Sequence, residues 1–108
     1  MTHAGSDPEG VFGALADPTR RRVLTLVARQ GPASASSMVE HLPVTRQAIA
    51  RHLAVLSEAG LVRGRRRGHQ VQFELVPETL SATADWLRQI GAEWDDRLAR
   101  LKVYLADT

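Results

Sequence analysis

The chain has 108 residues, 44% of them hydrophobic and 24% charged, with a formal net charge of +2, which is the composition of one ordinary small globular domain. The absence of cysteine excludes disulfides and thiolate metal ligands, and no run of about 18 apolar residues predicts a membrane span. The first ten residues, MTHAGSDPEG, lack the basic and apolar regions of a secretory signal, so we expect a cytoplasmic protein.

Two helices are predicted near the N-terminus. We expect residues 1–8 to form a flexible tail and residues 9–108 to form one domain. The apolar residues Val11, Phe12, Ala14 and Leu15 predict a first short helix. Asp17-Pro18 predicts the start of a second helix, because aspartate can cap a first turn and proline suits the first helical position. The expected core residues of this helix are Val23, Leu24 and Val27.

Two further helices and a tight turn between them predict a helix-turn-helix. Ser34 is the expected N-cap of a short third helix, whose inward-facing residues are predicted to be Met38, Val39 and Leu42. Pro43 ends that helix, and Thr45 is the expected N-cap of a helix over residues 45–59. In this fourth helix Ile49, Leu53 and Leu56 recur at helical spacing. Gly60 then stands where a glycine commonly ends a helix, which completes the motif.

The hydrophobic period changes to two after the fourth helix. Val71, Phe73 and Leu75 alternate with polar residues, which predicts a half-buried strand. Residues 62–66 can pair with it across a turn at 67–69, so residues 62–75 form a wing. The basic residues of this wing are Arg63, Arg65, Arg66, Arg67 and His69. The predicted fold is therefore mainly α with a small β-hairpin, a winged helix-turn-helix of about five helices.

One long helix is predicted over residues 77–106. Its apolar residues form two series with a seven-residue repeat, which interleave as in a coiled-coil seam. The first series is Ala84, Gly91, Leu98 and Leu105, and the second is Leu80, Leu87, Trp94 and Leu101. The seam is longer than so small a body can cover, so we expect dimerisation through this helix. Part of it is expected to pack on its own domain.

The basic residues are concentrated in one part of the chain. Residues 17–70 carry ten arginines against three acidic residues, whereas residues 71–108 carry four basic and seven acidic residues. Guanidinium groups suit bidentate contacts to phosphate and guanine. This distribution indicates a nucleic-acid partner, with a merely solvated basic surface as the alternative.

Three stretches, FGALADPTRRRVLTLV, LPVTRQAIARHLAVLSEAGLV and RRRGHQVQFEL, resemble the ArsR/SmtB winged-helix repressors. The resemblance extends from about Val11 to the C-terminus, and its last part is similar to the metal-independent branch, whose members often repress their own operon. It implies a homodimer, joined by the first and last helices, that binds an operator and blocks transcription. The implied interface residues are Val11, Phe12, Leu15, Leu87, Gly91, Trp94, Leu98, Leu101 and Leu105.

The sequence departs from the metal-sensing members of that family. Many of them bind metal through a cysteine pair before the turn, where this chain has SSMVEHL. Others use histidines on the last helix, which has none here. The four histidines, His3, His41, His52 and His69, stand at no ligand-pair spacing. We therefore expect neither a metal site of the family type nor a cofactor.

The polar face of the fourth helix is the predicted DNA-reading surface, because base edges are usually read from the N-terminal turns of a helix in the major groove. Arg46 or Arg51 is expected to pair with guanine, and Gln47 to read adenine or a neighbouring phosphate. Thr45 is expected to contact phosphate, and the small Ala50 to allow close approach. The alternative for Arg51 is an ion pair with a surface acid such as Glu58.

The wing arginines are expected to follow the flanking DNA backbone or to enter the adjacent minor groove. His52 is expected to be half-buried and hydrogen-bonded. Of the consecutive Arg20, Arg21 and Arg22, at most two can face DNA.

Other functions are less consistent with the sequence. An enzyme is disfavoured because no catalytic motif is present, and RNA binding because aromatic stacking residues are scarce. A metal-responsive repressor with an unusual site and a winged helix used for protein contacts are kept as alternatives. No motif in the sequence identifies the operator, or the inducer, whether that is a small molecule or a protein.

Overall fold

The computed structural model describes residues 8–107, so the expected tail lies outside the described residues except for Pro8, which begins the first helix. The helices are α1 (Pro8–Ala14), α2 (Pro18–Gln30), α3 (Ala35–Met38), α4 (Arg46–Glu58) and α5 (Pro77–Ala106). The strands are β1 (Val62–Arg67) and β2 (Gln70–Leu75), which pair antiparallel. This order of elements confirms the predicted winged helix-turn-helix.

One apolar core lies under α4. The predicted stripe of Ile49, Leu53 and Leu56 is fully buried, and α1, α2, α3 and β1 all pack against this helix. The predicted core residues of α2 are buried as well. Val11 has no exposed surface because it belongs to this core. Its expected place in a dimer interface is therefore wrong, since none of its surface is left to contact a partner.

The three predicted N-caps are confirmed. The side chain of Asp17 accepts a hydrogen bond from Arg20 N at 3.0 Å, and that of Thr45 accepts one from Ala48 N at 3.1 Å. Ser34 Oγ accepts from Ser37 N at 3.2 Å. Each cap satisfies an N–H group that has no partner inside its own helix, and so fixes where that helix begins.

The third helix is shorter than the sequence suggests. It ends at Met38, and Val39 is 40% exposed, so the expectation that Val39 faces the core is wrong. Met38 and Leu42 are buried as predicted. A capping box would place glutamate at the third helical position. Here Ser37 stands there, and its hydroxyl donates to Ser34 O at 2.9 Å instead.

The end of α4 is joined directly to α5. Gly60 adopts a φ of 76°, and the N–H groups of Gly60 and Leu61 donate to Ser57 O and Leu56 O at 3.0 and 2.9 Å. This pair of bonds is a Schellman motif. The free carbonyl of Gly60 then accepts from Thr79 Oγ1 at 2.7 Å. The first turn of α5 is thereby attached to the residue that follows the C-cap of α4.

The wing has a tighter turn than expected. Arg67 pairs with Gln70, so the turn consists of Gly68 and His69 rather than residues 67–69. The φ of Gly68 is 62°, which suits a two-residue hairpin turn. At the base of the wing, Ala33 and Phe73 exchange backbone hydrogen bonds of 3.0 and 2.8 Å. Val71 is 40% exposed because it lies towards the tip, beyond the core.

The long helix α5 leaves the body of the protein after its second turn. Thr83 is buried, whereas every residue from 85 to 107 is exposed. A helix of 30 residues is about 45 Å long, and the molecule extends 68 Å along its longest axis. Near the body, the Phe12 ring contacts that of Trp86, with their centroids 5.7 Å apart.

The Asp17 cap makes stability depend on pH. The backbone hydrogen bond from Arg20 lowers the pKa of the Asp17 carboxyl from its ordinary value of 3.8. Desolvation raises this pKa in part, whereas the backbone hydrogen bond from Thr19 and the charges of His52 and Arg20 lower it further. Between the lowered pKa and the ordinary one, the unfolded chain binds more protons than the folded chain. The stabilisation is therefore present above the ordinary pKa and lost as pH falls through the lowered one.

We predict that this dependence disappears in Asp17→Asn, which keeps a capping oxygen but does not titrate. Urea denaturation at fixed protein concentration should give a difference in unfolding free energy between wild type and variant that is constant above about pH 5 and shrinks at lower pH. A difference that stays constant down to about pH 2 would contradict the assignment.

Candidate nucleic-acid interface

The outward face of α4 is polar and exposed along its first two turns. All five residues that the sequence assigns to DNA contact on this helix are exposed: Thr45, Arg46, Gln47, Ala50 and Arg51. No ion pair joins Arg51 to Glu58 or to another acid within residues 8–107. Ala50 places no long side chain between the helix and a ligand. The apolar face fixes the helix to the core and leaves this polar face towards solvent.

Two arginines of α2 hold the helices together. Arg20 Nε donates to His52 Nδ1 at 3.4 Å, which confirms that His52 is partly buried and hydrogen-bonded. Arg20 also donates to Ala14 O, and Arg21 to Leu15 O at 2.6 Å. Both guanidinium groups thus form hydrogen bonds with other parts of the protein. Arg22, the third of the run, is exposed on the surface of α2.

Arg46 is held towards α3. Its Nε donates a hydrogen bond of 3.1 Å to Ser36 Oγ. Beside this contact lies an open groove of about 310 Å³ between α3, α4 and the wing. Its lining residues are Ser34, Ala35, Ser36, Arg46, Ala50, His69, Gln70, Val71 and Phe73. Helices α3 and α4 and the tip of the wing therefore form one concave surface.

The positive charge of the wing is neutralised unevenly along its length. Glu74 lies directly across from Arg63, and its Oε1 contacts Arg63 Nη2 at 3.2 Å and Arg65 Nε at 2.8 Å. The remaining cationic side chains, Arg66 and Arg67, are exposed and form no ion pair with any residue from 8 to 107. The positive charge of the wing is therefore least neutralised near its tip, where His69 is also exposed.

Sequence reasoning missed the roles of Ser36 and Glu74. The alternation of the strand gives only a partial signal for Glu74, because the expected turn at residues 67–69 would place it opposite Val62, whereas the observed register places it opposite Arg63. No comparable signal exists for Ser36. Its contact with Arg46 depends on the angle between two helices, which the hydrophobic pattern does not specify.

No three His, Asp or Glu side chains within residues 8–107 lie close enough together to hold a metal ion. The alternative of a metal-responsive repressor therefore has no candidate ligand set in that part of the chain. No helix among the same residues is long and apolar enough to cross a membrane.

Comparison with known proteins agrees with the fold. A helix-turn-helix domain family matches residues 15–65. The arsenic resistance transcriptional regulator ArsR1 of Pseudomonas putida is 42% identical over 90 residues, which are 81% of this chain and 70% of that protein. The transcriptional repressor SdpR of Bacillus subtilis is 31% identical over 88 residues, or 82% of this chain and 97% of the repressor.

Solved structures give the same result. An ArsR-like transcriptional regulator from Rhodococcus sp. RHA1 superposes with a TM-score of 0.80 and 45% identity, covering 88% of this chain and 89% of that one. The homodimeric winged helix-turn-helix DNA-binding domain of Mb0332 from Mycobacterium bovis superposes with a TM-score of 0.63 and 26% identity. That match covers 79% of this chain and 77% of the other.

We predict that Glu74→Gln strengthens binding to DNA of any sequence, because it frees two arginines that now share one carboxylate. The slope of log K against log salt should become steeper by about 1–2, as expected for one or two added phosphate contacts. Glu58→Gln is the matched control, since it removes the same charge from a residue without an ion-pair partner in the described part of the chain. Weaker binding by Glu74→Gln would instead mean that Glu74 orients the two arginines towards the DNA.

Proposed function

This chain belongs to the ArsR family of winged helix-turn-helix transcriptional regulators, and on that premise we propose that it acts in the cytoplasm as a homodimeric repressor. It binds an inverted-repeat operator with α4 in the major groove and the wing on flanking DNA. Family membership, rather than the lack of any motif, is the reason to regard it as a regulator and not an enzyme.

The observation that carries this proposal is the exposed face of α4. Gln47 and Arg51 are solvent-exposed on a helix whose opposite stripe is fully buried. An α-helix fits the major groove, and residues in its N-terminal turns reach the base edges. A winged helix used for protein contacts would not need this density of cations on one surface. The charge and the geometry therefore favour DNA over a protein partner.

Arg51 is the better candidate for guanine. The sequence leaves Arg46 and Arg51 as alternatives, but Arg46 already donates its Nε to Ser36. Arg51 has no ion-pair partner within residues 8–107, so both edges of its guanidinium group are available. A bidentate contact to guanine O6 and N7 contributes about 1–3 kcal/mol of discrimination. Gln47, one turn earlier on the same helix, is the candidate for adenine.

Two variants distinguish a contact to a base from a contact to the DNA backbone. We predict that Arg51→Ala loses about 10- to 100-fold in affinity for the operator, in line with one bidentate base contact, and much less for a scrambled duplex. Arg66→Ala should weaken binding to both duplexes alike, because a backbone contact carries no sequence information. Fluorescence anisotropy at several salt concentrations measures both effects. Equal losses on both duplexes for Arg51→Ala would contradict its role as a base reader.

The exposed part of α5 supports dimerisation. The seam residues Leu87, Trp94, Leu98, Leu101 and Leu105 are 48–60% exposed in the single chain. Such a continuous apolar face is typical of a surface that another chain covers. Two copies joined along α5 would present two recognition helices, and an inverted repeat requires them about 34 Å apart, one turn of B-DNA.

We predict that Leu98→Asp converts the dimer to a monomer, because burying an unpaired carboxylate in the seam is costly. Sedimentation velocity measures the mass, and circular dichroism checks that the fold of the monomer is retained. Val103→Asp is the matched control, since Val103 is 63% exposed and lies outside the seven-residue repeat. A Leu98→Asp protein that still sediments as a dimer would exclude this seam as the interface.

The experiment that tests the whole proposal is a binding titration of the purified protein on the DNA upstream of its own gene. A scrambled duplex of equal length is titrated in parallel. Tight binding of one dimer to the native fragment only is the expected result for an autorepressor. Equal and steeply salt-dependent binding to both duplexes would indicate electrostatic attraction alone. No binding to either would favour the protein-contact alternative.

A further inference from the structure

The groove between α3, α4 and the wing lies on the path of one DNA strand. This inference rests on the proposed function, in which α4 occupies the major groove and the wing contacts flanking DNA. The major and minor grooves are separated by a sugar–phosphate strand. Whatever protein surface joins α4 to the wing must therefore face that strand. In this structure the joining surface is the open groove of about 310 Å³.

The groove has the chemistry that a backbone phosphate requires. Its polar lining residues come from all three surrounding elements and are Ser34, Ser36, Arg46, His69 and Gln70. The other lining residues, Ala35, Ala50, Val71 and Phe73, are apolar, which suits the face of a deoxyribose. Glu74 is not among the lining residues. An anion would thus meet donors and one permanent cation, with no carboxylate opposing it.

Arg46 is directed into this groove by two features. Residues 46 and 51 are separated by about 140° around the helix axis, so they cannot point to the same base edges. Residues 46 and 50 are only about 40° apart, and both line the groove. The hydrogen bond from Nε to Ser36 Oγ leaves the two terminal nitrogens of Arg46 free to donate.

We propose that this groove binds one DNA backbone phosphate per protomer, with Arg46 as its cation and Ser36 as the residue that positions Arg46. Arg46 thereby fixes the register of α4 on the DNA, and base reading falls to Gln47 and Arg51. Ser36 acts through Arg46: its hydroxyl accepts from Nε and restricts the guanidinium group to the groove.

Chemical interference on the upstream duplex tests the proposal. Phosphate ethylation identifies each phosphate whose modification blocks binding, and guanine methylation identifies each N7 that is contacted. For wild type, a blocking phosphate is expected in each half-site between the major-groove contacts and the wing contacts. Arg46→Ala should lose sensitivity at that phosphate alone and keep every guanine signal. Arg51→Ala should show the opposite pattern.

The role of Ser36 is tested with a graded set of variants. Ser36→Ala should weaken the same ethylation signal and lower affinity about threefold, whereas Ser36→Thr, which keeps the hydroxyl, should restore both. Ser57→Ala is the control, because Ser57 is exposed near the end of α4 and does not line the groove. A loss of affinity in Ser36→Ala that Ser36→Thr does not restore would overturn the positioning role.

Salt dependence provides a test that does not need an operator. On the scrambled duplex, Arg46→Ala should lower affinity about tenfold at low salt and reduce the slope of log K against log salt by about 0.9. Arg29→Ala, on α2 and away from the groove, should change neither. Loss of a guanine signal in Arg46→Ala, or an unchanged salt slope, overturns the proposal. Failure of the wild type to prefer its upstream DNA would instead overturn the proposed operator, and the slope would still test the groove.

Discussion

The rest of the structure depends on the burial of one apolar stripe on α4. Ile49, Leu53 and Leu56 have no exposed surface, and each contributes about 1.5–3 kcal/mol to the free energy of unfolding. Because a helix is rigid, fixing this stripe also fixes the direction of every side chain on the opposite face. The packing of this buried stripe therefore orients the polar residues that face solvent, although those residues take no part in that packing.

The arginines of this chain serve two different purposes. Arg20 and Arg21 of α2 donate to carbonyl groups at the end of α1, and Arg20 donates to His52 as well, so they stabilise the arrangement of the helices. The arginines of α4 and the wing stay exposed, and Glu74 neutralises part of the charge at the base of the wing. Counting arginines by sequence region therefore overstates the charge that is available to a ligand.

Local signals predicted the fold well, and contacts between elements were predicted poorly. Asp17, Ser34 and Thr45 could be identified as caps because capping involves residues only three positions apart. The exposure of Val39 could not be foreseen, because it depends on where a four-residue helix stops. The contact of Arg46 with Ser36 requires the crossing angle of α3 and α4. The sequence thus predicted which residues form the polar face of α4, but not which of its arginines is held by another side chain and which is free of such a contact within residues 8–107.

The hydrogen bond between Thr79 and the Gly60 carbonyl has a mechanical consequence. Gly60 ends the recognition helix, and Thr79 lies in the first turn of the long helix, so the two helices share one joint. A long rigid rod attached at such a joint acts as a lever arm. A small tilt at the joint is magnified into a displacement of several ångströms at the far end of α5, and in the reverse direction a large movement there becomes a fine adjustment of α4.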